Sequence, residues 1–117
     1  MKKAFALIAA LGAFATAGLA QPAQGPTTIK GEVLDMACYL DHGAHGDKHA
    51  ACASKCISSG LPVGLKTADG QVYLLIGQHK PINDKLAESA GKTISVRGKV
   101  ASRDGINLLE NAEIVSE

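Results

Sequence analysis

Whatever metal or redox chemistry this chain performs is concentrated in one stretch. All three cysteines and three of the four histidines lie between positions 38 and 56, in the run CYLDHGAHGDKHAACASKC. Thiolates and imidazoles are the donors that hold zinc or Cu(I), and thiols are also the groups that form and exchange disulfides. Cys38, His42, His45, His49, Cys52 and Cys56 are therefore the residues to place first.

His49, Cys52, Ala53 and Cys56 are spaced i, i+3, i+4 and i+7, so on a helix they share one face. With Cys38 brought in from the exit of a preceding strand, they supply a Cys₃His set that suits zinc, or a thiolate-rich site for copper. The candidate metal ligands are thus Cys38, His49, Cys52 and Cys56. A competing reading needs no metal. A disulfide from Cys38 to Cys52 or Cys56 would close a loop worth about 3 kcal/mol and pin the helix to the strand. The third cysteine would then be a small apolar residue beside Ala53 and Ile57, and the domain a stapled binding module for a protein or small ligand. A third reading is thiol-disulfide exchange, although Cys-x-x-x-Cys is not the Cys-x-x-Cys of thioredoxin-like oxidants and no βαβ pattern surrounds it.

The other polar residues are assigned no such role. His42 and His45 sit in a glycine-containing loop and read as solvated, His79 as exposed, and Tyr39 as a half-buried packing residue. Asp35 and Asp41 flank Cys38 but fall in different local structures. There is no Ser-His-Asp pattern and no glycine-rich phosphate cradle, so the chain does not read as an enzyme.

The elements that must position the cysteines are short. Residues 28–35 alternate as a strand, with Ile29, Gly31 and Val33 on one side. A glycine-broken loop is expected over 41–46, then a helix over 48–58 with Asp47 as its N-cap and Gly60 and Pro62 beyond its end. Segments 62–66 and 71–76 form a hairpin around Ala68-Asp69-Gly70. A second short helix is expected over 81–90, closed by Gly91. Residues 92–102 alternate strictly, and Asp104-Gly105 turns them into a last strand at 106–110, which Ile114 and Val115 extend after an irregularity at Asn111. Strand, Cys/His insert, strand, strand, helix, strand, strand is the order of an OB-fold, a mainly β five-stranded barrel whose closure removes exposed edges.

Residues 1–20 read as a secretory signal peptide: Lys2 and Lys3, an apolar run over 4–15, and the small-x-small Gly18-Leu19-Ala20. The run is shorter than the roughly 20 residues of a spanning helix, so the mature chain, from Gln21, is expected in the periplasm or medium without membrane insertion. Residues 21–27 are a linker and 28–117 one domain, expected to be monomeric. Both phenylalanines, Phe5 and Phe14, belong to the signal, leaving Tyr39 and Tyr73 as the aromatics. Loss of Lys2 and Lys3 moves the formal charge from +1 to slightly negative, and the remaining lysines are dispersed. With neither aromatic platforms nor a basic groove, nucleic acid is not an expected partner; a metal ion or a periplasmic protein is.

The pattern Gly31-Glu32-Val33, Cys38-Tyr39, His49-x-x-Cys52-Ala53-x-x-Cys56, Gly60-x-Pro62 and Tyr73-Leu74-Leu75 resembles a group of small exported bacterial proteins of OB-like type, mostly uncharacterised. The resemblance spans most of the mature chain and implies a fold and a compartment, without supplying an activity. Locally, Cys-x-x-x-Cys with a nearby histidine also resembles exported copper-handling proteins of the Sco type, whose thioredoxin-like fold differs from the one expected here.

Overall fold

The computed structural model describes residues 25–117. The expected signal peptide and most of the linker lie outside the described residues. Five strands, β1 (Thr27–Asp35), β2 (Val63–Lys66), β3 (Val72–Leu75), β4 (Thr93–Arg103) and β5 (Ile106–Ser116), close into a barrel in the order β1-β2-β3-β5-β4. Helices α1 (Met36–His42) and α2 (Ala50–Ser58) follow β1, and α3 (Asn83–Ala87) lies between β3 and β4. This is the OB-fold-like architecture expected from the strand order.

Closure depends on β1 and β5. Strand β1 pairs with β4 along its first part, from Thr27↔Gly98 to Glu32↔Thr93, and with β2 along its last part, from Glu32↔Lys66 to Asp35↔Val63. Strand β5 runs antiparallel to β4 and makes a short parallel pairing with β3 at Leu74↔Leu108 and Leu75↔Leu109. The break expected at Asn111 is present: its φ is 55°, the β4–β5 register shifts between Arg97 and Lys99, and Asn111 N–H donates to Gly77 O. A bulge of this kind bends a strand and lets a small barrel close.

The period-two pattern of the sequence becomes the inside and outside of the barrel. Val33, Leu65, Leu75, Ile94, Val96 and Leu109 are buried at its centre. Ala53 and Ile57 of α2 and Leu86 and Ala87 of α3 cover one end of the same core. The two helices are tied together by Asn83, whose Nδ2 donates to Ile57 O and Leu61 O, each at 2.8 Å. These bonds satisfy carbonyls at and just beyond the C-terminal end of α2, where a helix leaves acceptors without partners.

Several expected boundaries change. Cys38 does not lie in a strand exit running into a loop: Met36–His42 is a helix that opens directly from β1. Gly43 ends that helix rather than preventing one, adopting φ 67° while Gly43 N donates to Tyr39 O and Ala44 N to Cys38 O. Asp47 is not a helix N-cap; residues Asp47–His49 form a 3₁₀ turn preceded by Gly46, and the α-helix proper begins at Ala50. The third helix covers only Asn83–Ala87 of the expected 81–90.

The insert between β1 and β2 is held against the barrel by backbone approach as well as by apolar packing. Gly91, at φ 74°, donates its N–H to Val33 O at 2.9 Å, and a Cβ there would stand 2.9 Å from Gly46 O and 3.0 Å from the Ala50 methyl. Only glycine accommodates both the dihedral and the contact. The turn before β4 therefore supports the start of α2 and the end of β1 together.

Candidate metal centre

The site begins where β1 becomes α1. Leu34, Asp35 and Met36 are buried in succession, so the alternation of β1 stops as the chain turns inward. Asp35 is 1% exposed. Its Oδ1 accepts from Ala37 N at 3.0 Å, an N-cap bond that starts α1 and fixes the carboxylate. Met36 N donates to Pro62 O at 3.0 Å, tying the same corner to the entry of β2. Cys38 is presented one turn into this helix, half-buried and facing α2.

Helix α2 brings the other sulfurs. Ala53 and Ile57 point into the core, which places Cys52 and Cys56 on the adjoining face, Cys52 exposed and Cys56 half-buried. The ligand atoms of Cys38, Cys52 and Cys56 all lie within 4.8 Å of one another, and all three residues are free thiols. His49, at the end of the 3₁₀ turn, joins a second group with the same spacing: Asp35, Cys38 and His49. The four residues expected from the sequence are thus brought to one place, but in two overlapping triads that share Cys38 instead of one Cys₃His set.

Asp35 is the residue that sequence reasoning missed. Its Oδ2 lies 4.0 Å from His49 Nε2, and both atoms are buried without a hydrogen-bond partner. The thiols of Cys38 and Cys56 face the same carboxylate, but S–H is a weak donor and does not replace a full-strength bond. Buried polar atoms of this kind cost about 1–3 kcal/mol each when unpaired. The available sequence signal was the Asp-x-x-Cys spacing of 35 and 38 together with a run of buried positions that ends the strand's alternation.

The remaining histidines stay outside. His42 and His79 are exposed, as expected. His45 is also exposed, with Nδ1 3.5 Å from Glu32 Oε2 and its ring edge-on to Tyr39. Tyr39 is half-buried and carries the Lys66 ammonium 5.3 Å from its ring centroid, a cation-π contact on the outside of α1.

Asp35 sets the acidity of the cluster. The Cys38 thiol is pushed up to about 12, first by its hydrogen bond to Asp35, then by burial and by the charges of Asp35, Cys56 and Cys52. Cys56 is raised for the same leading reasons. A thiol whose folded pKa exceeds its ordinary value of 9.0 favours the fold in its protonated form. That contribution is complete below pH 9 and is lost as pH climbs towards 12. The melting temperature of the metal-free protein should therefore fall as pH rises above 9, and Cys38→Ser should flatten the decline; a wild-type profile as flat as that of the variant would contradict this.

No family model matches the chain, and neither a curated protein nor a solved structure matches it. Its class is accordingly defined by its own architecture: a closed five-stranded barrel with a helical insert after β1, where Cys, His and Asp side chains lie close enough together that they could hold a metal ion. Among the described residues, no helix is long and apolar enough to cross a membrane.

Proposed function

We propose that the protein is an exported domain that binds a transition metal, zinc or copper, in the cluster formed by Cys38, Cys52, Cys56, His49 and Asp35. The observation that carries this reading is the pair of buried, unpartnered atoms, Asp35 Oδ2 and His49 Nε2, beside the Cys38 thiol. A cation satisfies a carboxylate, an imidazole and a thiolate at once. A disulfide among the sulfurs would leave both buried atoms as they are.

The donor chemistry fits. Thiolate, imidazole and carboxylate are the usual zinc ligands, and thiolates also select Cu(I). Binding must displace protons from the raised thiols, so affinity should increase with pH. In this reading the barrel supplies a rigid base, and the β1–α1 corner and α2 supply the ligands from two directions.

The test is metal content and thiol count on protein recovered from the compartment to which it is exported, with zinc and copper both supplied. A bound metal should appear as about one ion per chain, released by acid or a chelator together with three titratable thiols. Protein that carries no ion, takes none up after mild reduction and shows a single thiol supports the stapled module and removes the metal reading.

A further inference from the structure

Within the metal-binding reading, the two triads offer an ion different surroundings. The Cys38, Cys52 and Cys56 triad is all sulfur, and Cys52 opens it to solvent. The Asp35, Cys38 and His49 triad mixes oxygen, sulfur and nitrogen and is the more enclosed, with side chains 0% exposed for Asp35 and 18% for His49. We propose that the ion is seated in the Asp35, Cys38 and His49 triad, that Asp35 is a ligand, and that the site takes a divalent cation of the zinc class in preference to Cu(I). This rests on the proposal that the cluster binds a metal, and it adds which atoms do so and which charge they require.

Charge is the first argument. A carboxylate, a thiolate and a neutral imidazole together carry two negative charges, which a divalent ion cancels and a monovalent ion does not. Three thiolates around Cu(I) would leave two uncompensated negative charges beside the buried carboxylate of Asp35, an arrangement that low-dielectric surroundings penalise heavily.

Donor type and placement point the same way. Oxygen and nitrogen ligands suit a borderline ion such as zinc better than a soft one such as Cu(I). Two ligands of tetrahedral zinc, each at about 2.0–2.1 Å, stand roughly 3.4 Å apart. The 4.0 Å between Asp35 Oδ2 and His49 Nε2 is a little wider, a gap that a small side-chain rotation closes. Asp35 is already aimed, because the N-cap bond to Ala37 engages Oδ1 and leaves Oδ2 directed at His49. His49 is held from its backbone by the bond from His49 N to Gly46 O at 3.1 Å. Exposed Cys52 belongs to the other triad and is dispensable to this one.

The experiment compares Asp35→Asn, His49→Gln and Cys52→Ser in the mature protein. Affinity for Zn(II) is measured against a chromophoric chelator, and Co(II) spectra report the sulfur ligands. Asparagine still caps α1, so Asp35→Asn tests the charge and not the fold; His49→Gln tests the same triad from a residue whose side chain makes no cap hydrogen bond. Both substitutions should lower Zn(II) affinity by at least about 100-fold, the upper end of what loss of even an outer partner of a ligand costs. Cys52→Ser should change it by less than about threefold and leave the cobalt-thiolate absorption intact, because the residue is exposed and outside the Asp35, Cys38 and His49 triad. A Zn(II) affinity that survives Asp35→Asn and His49→Gln but collapses in Cys52→Ser would overturn the inference and move the ion to the three thiols, with metal binding itself retained. Wild-type protein that binds neither Zn(II) nor Co(II) but does bind Cu(I) would also overturn it, and failure to bind any of the three would remove the metal reading as well.

Discussion

Replacing Cys38 with serine should lower affinity for zinc and copper alike by at least about 100-fold, since loss of a ligand should cost at least as much as the 10–100-fold attached to residues that merely orient one. Cys38 is the sole residue common to both triads, so whichever triad seats the ion loses a ligand. A serine hydroxyl keeps the shape but is a poor donor to a thiophilic cation. The fold should tolerate the change: Cys38 is half-buried and lies outside the barrel core. Stability of the metal-free protein should move by no more than about 1 kcal/mol. The stapled alternative makes the opposite forecast, a loss of about 3 kcal/mol from the opened loop and no change in metal content. Isothermal titration with Zn(II) and a denaturant melt on the same two proteins separate the outcomes, and an unaltered affinity in Cys38→Ser would refute the shared-ligand geometry.

Replacing Ile57 with alanine should destabilise the domain by about 2–5 kcal/mol, the range for truncating a buried isoleucine. Ile57 is 0% exposed and packs in the cluster that joins α2 to the barrel. It also follows Cys56 directly, and its carbonyl accepts from Asn83, so its packing sets where the sulfurs of α2 stand relative to Cys38. A second effect follows from the first: metal affinity should fall although no ligand has been touched, and added Zn(II) should restore part of the lost stability through binding linkage. Equilibrium urea unfolding with and without Zn(II) measures both. A variant as stable as wild type would show that α2 is not anchored by this side chain.

The physical reason for both expectations is that the ligands come from elements with separate supports. Cys38 and Asp35 belong to the corner that β1 makes as it enters α1, fixed by the cap to Ala37 and by the bond from Met36 N to Pro62 O. Cys52 and Cys56 belong to a helix held by Ala53, Ile57 and Asn83. A ligand substitution therefore acts on binding, whereas a core substitution acts on stability first and on binding through it.

The sequence by itself determined the barrel. Strict alternation over β4, the Asp69-Gly70 and Asp104-Gly105 turns and the strand order specify a closed sheet, because a period of two on a half-buried strand has one physical interpretation. It also determined that Cys52 and Cys56 share one side of α2, since helical spacing alone stacks them, whereas His49, expected on the same helix, ends the 3₁₀ turn before it. The helix at Met36–His42 was not legible. Its only clear local signal is the Asp35 cap, and its two-turn length leaves little periodicity to read; what secures it is the bond to Pro62, far along the chain. The role of Asp35 was hidden for a related reason. One carboxylate oxygen caps a helix and the other meets His49, and nothing in the spacing of 35 and 49 reveals that the chain returns to the same point. Tertiary structure alone decided that the donors form two triads about Cys38, because the distance between a strand's end and a later helix is set by how Ile57, Leu86 and Gly91 pack and not by any local preference.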